Sequence, residues 1–200
     1  MRTTARLAVT AIKKFGGRVE GTEGSTWEIN LDNRPVTDAN LAALAPLTDA
    51  QTLDLLGTLV TGAGLAYLSN WKQLHTLYLT NSKLTSTGMA ALSKMPSLRV
   101  LILDYTKIGN DGLRHLTGLT GLQKLNIGGT RVTDTGMPLI ARLTNLDMLS
   151  IHETAITDEG LKSLETLTNL KQLFWTGSGV TKRGIERLRK KLPQLQADVV

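Results

Sequence analysis

Apolar positions along most of this chain return every 24 residues. In the stretch from Leu146 to Asn169, Leu149-Ser150-Ile151 alternates apolar and polar. That period of two predicts a short strand with one buried face. Leu161, Leu164 and Leu167 are then spaced by three, with Leu161 and Leu164 on one side of a helix. Between the two halves, Thr157-Asp158 is predicted to cap the helix, and Gly160 leaves room in its first turn. Earlier copies begin at Leu122, Leu98, Leu74, Ala50 and Thr26, and a later one at Leu170, making seven units uninterrupted from Thr26 to Lys190. One such unit buries too few side chains to offset the ordering of its own backbone, so the units must stack edge to edge.

The predicted strands centre on Glu28–Asp32, Thr52–Leu56, Thr76–Thr80, Val100–Asp104, Lys124–Gly128, Met148–His152 and Gln172–Thr176. Each is joined to the next through a helix and is therefore parallel to it. Ahead of the array, Thr3 to Phe15 reads as an amphipathic helix stopped by Gly16-Gly17, Arg18 to Glu20 as a strand, and Gly21 to Gly24 as a turn. The expected division is an N-terminal helix and hairpin cap over 1–25, repeats over 26–193 and a capping strand over 194–200. Gly184 to Leu192 is read as the closing helix and Leu195 to Val200 as a truncated eighth strand.

Each unit reads L-x-x-L-x-L-x-x-(T/S)-x-(I/V/L)-T-D-x-G-L-x-x-L-x-x-L. This pattern resembles leucine-rich repeat proteins, whose signature is L-x-x-L-x-L-x-x-N/C-x-L. The T-x-(I/V)-T-D-x-G-L variant is similar to arrays common in large-genome bacteria and distantly to ribonuclease-inhibitor-like repeats. The resemblance implies an α/β fold: a right-handed solenoid, or horseshoe, with a parallel β-sheet on the concave face and helices on the convex face. One departure is regular. Thr58, Ser82, Thr106, Thr130, Thr154 and Ser178 stand where the family has Asn, and Arg34 breaks the column in the first unit. The hydroxyls are expected to turn inward and bond loop amides.

Composition narrows the function classes. The chain has no cysteine, which removes disulfide and thiolate chemistry and suits a cytoplasmic, reducing setting. No apolar run approaches the roughly 18 residues of a membrane helix, and the short apolar start closed by Lys13-Lys14 is not read as a secretory signal. Net charge is +6, with +3 in residues 1–25, +5 in residues 170–200 and −2 in the repeat body between them. Basicity confined to the ends makes nucleic acid an unlikely partner.

Adjacent parallel strands lie about 4.8 Å apart, so the outward strand positions form columns. One runs Asn30, Asp54, Tyr78, Ile102, Asn126, Ser150 and Phe174. Others contain Leu56, Val100, Asp104, Met148 and His152, and the last runs Asn33, Gly57, Asn81, Tyr105, Gly129, Glu153 and Gly177. Aromatic and Met side chains at such positions mark a protein-binding surface, although β-formers shielding one another across strands produce the same pattern. The expected partner-binding set is Tyr78, Ile102, Asp104, Tyr105, Asn126, Met148, His152, Glu153 and Phe174. Within it Asp104, His152 and Glu153 would add polar specificity.

Catalysis is not expected. Asp104, Ser150 and His152 suggest a triad, but Asp104 and His152 stand two units apart, about 10 Å, and an open curved sheet offers no pocket to exclude water. His75, His115 and His152 occupy different positions in their units and do not converge on a metal. Thr-Asp pairs at Thr37-Asp38, Thr133-Asp134 and Thr157-Asp158 read as helix caps rather than calcium ligands. The once-per-unit glycines, such as Gly112 and Gly160, pack repeats and form no phosphate loop. The sequence therefore predicts a non-enzymatic protein–protein interaction module without cofactors, monomeric or weakly homodimeric. Two alternatives stand beside it. One is a nucleic-acid or anionic-surface binder using Arg183, Arg187, Arg189, Lys190 and Lys191; the other is a structural segment of a larger receptor or kinase.

Overall fold

The computed structural model describes residues 3–22 and 26–198. Nine strands lie in one open sheet in chain order: β1 (Arg18–Glu20), β2 (Trp27–Asn30), β3 (Ala50–Asp54), β4 (Thr76–Tyr78), β5 (Val100–Ile102), β6 (Lys124–Asn126), β7 (Met148–Ser150), β8 (Gln172–Phe174) and β9 (Gln196–Asp198). From β2 to β9 every pairing is parallel, and the register advances by one repeat: Leu53 faces Leu77, Leu77 faces Leu101, and so on to Ala197. Strand β1 is the exception, antiparallel to β2 with Val19 opposite Ile29. Helix α1 (Thr3–Lys14) precedes it and buries Ala5, Ala8 and Ile12 against the first repeat. The turn expected at Gly21 to Gly24 and the last residues of the eighth repeat strand fall partly outside the described residues.

Most regular strands have three residues, shorter than the five expected, but their pairing does not stop there. Leu103 N–H donates to the Asn126 carbonyl at 2.9 Å and Tyr105 N–H to the Gly128 carbonyl at 2.8 Å. The chain then turns through one left-handed residue per repeat: Asn33, Gly57, Asn81, Tyr105, Gly129, Glu153 and Gly177, with φ between 51 and 72°. This left-handed column coincides with the last outward column of the sequence map.

The other side of each repeat differs from the predicted helix. Apart from the closing helix α6 (Lys182–Lys191), it holds one α-helical turn, a short 3-10 segment, or both. Examples are α2 (Asp38–Leu41), the 3-10 segments Ala63–Leu68 and Gly88–Lys94, α3 (Asn110–Leu113), α4 (Met137–Ile140) and α5 (Asp158–Leu161). Packed α-helices need about 8 to 10 Å between axes, whereas strands repeat at about 4.8 Å. Tight, slender turns lessen that mismatch, and what remains curves the sheet to the inside. Between the layers run unbroken ladders of buried aliphatics: Leu53, Leu77, Leu101, Leu125, Leu149 and Leu173, with Leu55, Leu79, Leu103, Ile127 and Ile151 beside them.

Two polar columns recur along the array, one bonding within each repeat and one joining neighbouring repeats, and both differ in detail from the expectation. The hydroxyl column is buried except at the half-buried Ser178, but it chiefly serves carbonyls rather than amides. Thr58, Thr106, Thr130, Thr154 and Ser178 each donate to the carbonyl three residues back, at 2.6 to 2.7 Å. Those carbonyls lie where the chain leaves the ladder, and a buried carbonyl without a donor is unfavourable. The Asp column caps the helix of the following repeat rather than its own. Asp38 accepts from Thr61 N–H, the Thr61 hydroxyl, Gly62 N–H and Gly64 N–H. Asp134 serves Thr157 and Gly160, Asp158 serves Thr181, and Asn110 and Ser86 do the same for Thr133 and Gly109. Glycine is required at Gly160 and Gly184 because a Cβ there would overlap the carboxylate reaching across from Asp134 or Asp158.

Candidate binding face

The inner sheet face is built from side chains at alternate strand positions, so it inherits the one-repeat register. Tyr78, Ile102, Asn126, Met148 and Phe174 lie on it, all half-buried. Neighbours across the strands shield each of them in part, as cross-strand packing requires. Tyr105 stands clear of the face with 47% of its surface exposed. Glu153, at the same turn two repeats on, is also exposed.

Asp104 does not belong to the open surface. It is 8% exposed, and its carboxylate accepts from Gly128 N–H at 2.6 Å and from Asn126 Nδ2 at 3.2 Å. Burial pushes this carboxyl above the usual carboxylate range, against the opposing pull of those hydrogen bonds and of His152. Its work is to hold the turn of the next repeat, a role the sequence map assigned to recognition instead. Asp54, earlier in the array, instead accepts from Leu56 N–H of its own repeat at 2.9 Å and from Asn30 Nδ2 of the preceding repeat at 3.2 Å.

His152 lies over Gly128, where any Cβ would collide with the imidazole, and meets the Tyr105 ring edge-on at 5.6 Å between centroids. Its Nδ1 is 2.7 Å from Ser150 Oγ, and Ser150 is 2% exposed. Tyr105 in turn covers Gly129, and the Glu153 side chain covers Gly177. Burial first and the nearby Glu153 second raise the Tyr105 hydroxyl above its ordinary value. A bulky left-handed residue is thus repeatedly followed, one repeat on, by a glycine that leaves it space.

Beside these contacts a hollow of about 510 Å³ opens on the inner face, contrary to the expectation of a pocketless sheet. Met148 and Phe174 form its apolar sides, Ser150 and His152 its polar wall, and Glu153, Thr176 and Gly177 its edge at the turns. Asn126 also lines it, with an amide oxygen that is enclosed and has no donor among the described residues. Ser150, Thr176 and Gly177 were absent from the expected binding set. The sequence signal for them was the small residue Gly177, in a column where the preceding repeat carries Glu153. Among the described residues no group of three or more His, Asp or Glu side chains is placed to hold a metal ion.

The basic closing helix is partly engaged in structure. Arg189 donates to the carbonyls of Leu195 and Ala197 at 3.2 and 3.3 Å, holding β9, and Arg187 lies 3.5 Å from Asp158. No described helix is long and apolar enough to cross a membrane.

A parallel sheet advancing one 24-residue unit per strand, with slender turns behind it, gives this chain the fold of a leucine-rich repeat solenoid. The family profile described as leucine rich repeat matches residues 72–132. Among solved structures, the fold is similar to that of internalin C2 from Listeria monocytogenes. That match has a TM-score of 0.72 and 23% sequence identity, covering 98% of this chain and 81% of the internalin chain. No curated protein matches the sequence. Folds of this class commonly serve as protein–protein interaction modules.

Proposed function

We propose that this chain is a non-catalytic interaction module that binds a protein partner on the inner face of its sheet, from β4 to β8. One observation carries the reading: incompletely covered apolar side chains, Tyr78, Ile102, Met148 and Phe174, stand on four of the five strands from β4 to β8, with Asn126 between them on β6, and Met148 and Phe174 line a hollow. Tyr105 adds an exposed aromatic at their margin. Interfaces are enriched in aromatic and Met side chains, and such anchors dominate their energetics. His152, Glu153 and Asn126 supply polar selection around them, with Asp104 fixing the turn on which they depend. Rigid stacked repeats present these groups with little ordering left to be done on binding. We place the protein in the cytoplasm on its lack of cysteine.

The test is capture from an extract of the source organism with photo-crosslinking side chains placed at Ile102 on the inner face and at Arg114 on the outer. Crosslinks to one partner should form from the inner position alone. Replacing Tyr105 and Phe174 together by alanine should abolish them, lowering affinity by a factor on the order of 100, as loss of two anchors implies. Folding stability should change by only about 1 kcal/mol, since both side chains retain solvent contact. Unchanged partner affinity in the double variant rejects the inner-face reading.

A further inference from the structure

We infer that the hollow between β6 and β8 is a seat for an arginine side chain of the partner, which deepens the inner-face reading and rests on it. The hollow combines features that suit a guanidinium. Met148 and Phe174 offer apolar surface for a methylene stem, and Phe174 also offers a ring face on which a planar cation stacks. At the turn edge stands the exposed Glu153 carboxylate, an acceptor matched to the two-pronged geometry of a guanidinium. Thr176 adds a hydroxyl at the same edge.

Charge points the same way. No Lys or Arg lines the hollow. The base nearest in register is Lys124, paired with Met148 at the opposite end of the strand from Glu153. The formal charge lining the hollow is the Glu153 carboxylate, so a cation is drawn to it and an anion is not. Arginine fits better than lysine because its guanidinium is weakly hydrated and delivers donors in a fixed plane, whereas an ammonium is a strongly hydrated point charge.

Backbone conformation singles out the same place. Glu153 and Tyr105 hold left-handed φ values of 51 and 56°, in a column where three of seven repeats use glycine. A residue with a Cβ is unfavourable there, yet these two put a carboxylate and an aromatic ring at this one end of the face.

The experiment titrates the intact protein with a capped pentapeptide, Ala-Leu-Arg-Leu-Ala, and with versions carrying lysine, citrulline or norleucine at the centre. Capped free arginine is added as a further ligand, and backbone amide shifts are followed by NMR. The arginine peptide should bind about tenfold tighter than each of the other three, the size of one charge-assisted contact. Its shifts should centre on Gly128, Glu153 and Gly177. Glu153→Gln should weaken it by about tenfold, while Glu28→Gln, at the far end of the sheet, should not. Equal affinity for citrulline or norleucine overturns the proposal, as does absence of shifts at about 10 mM peptide, well above the weakest specific contacts. Equal affinity for capped free arginine points to a small guanidinium ligand and also overturns the polypeptide assignment. If crosslinks form on the inner face but Glu153→Gln leaves partner capture unchanged, the seat falls and the inner-face reading stands. If the arginine peptide binds at the hollow while partner crosslinks form from the outer face, the inner-face reading falls, and with it the assignment of the hollow to that partner.

Discussion

At Glu153 a single backbone angle links stability to recognition. Its φ of 51° is a conformation that glycine adopts freely and a side-chain-bearing residue does not. Glu153→Gly should therefore stabilise the fold by about 1 kcal/mol, read as a higher midpoint in chemical denaturation, while partner capture falls. A destabilised Glu153→Gly protein would show that the side chain packing over Gly177 outweighs the backbone strain. Thr106 illustrates the opposite case, a buried residue with no part in binding. Its hydroxyl donates to the Leu103 carbonyl at 2.7 Å, so Thr106→Val should cost about 1 to 3 kcal/mol by leaving that carbonyl without its donor. The Thr/Ser column was plain in the sequence, but its bonding partner was not, because a hydroxyl both donates and accepts and only the position of the turn decides which.

The repeating element is a strand, a left-handed turn and a slender helical turn clamped by the carboxylate of the repeat before it. That clamp predicts a pH dependence. Burial tends to raise the Asp38 carboxyl, but hydrogen bonds from Thr61, Gly64 and Gly62 prevail and hold it below the ordinary value. A depressed folded value means stability that is present above the unfolded value of about 3.9 and lost as pH falls through the folded one. Asp38→Ala should thus lower stability by about 1 to 2 kcal/mol at neutral pH, the worth of a cap. The gap from wild type should close on acidification below about pH 4. A gap independent of pH would mean that packing, not charge, carries the clamp. Asp104 runs in the other direction: burial raises its folded value, so its ionisation lowers stability as pH rises from about 4 through that value. The clamp's direction was hidden in the sequence. Asp134 is close in the chain to its own helix, and only the stacking of repeats brings it to Thr157 and Gly160.

Across the whole molecule, stability is a chain of neighbour contacts, so the consequence of a lost side chain depends on its place in the array. Leu101, buried in the central repeat, and Ile12, on the buried side of α1 at one end, are both fully covered. Leu101→Ala should destabilise the cooperative unit by about 2 to 5 kcal/mol. Ile12→Ala should instead free α1 and β1 locally, seen as faster amide exchange confined to residues 3–22. Exchange accelerated equally everywhere by Ile12→Ala would show that the end is not a separable unit. Repeat length, strand centres, parallel order and the aliphatic ladders were all legible in the sequence, because the 24-residue period imposes them on every copy alike. Spacing likewise located the outward columns that carry Tyr78, Ile102, Tyr105 and Phe174. The burial of Asp104, the seating of His152 over Gly128 and the hollow beside Phe174 come from the places where copies differ. There each large side chain is set by whichever small one the next repeat places beneath it, and such contacts between neighbours exist only once the repeats have stacked.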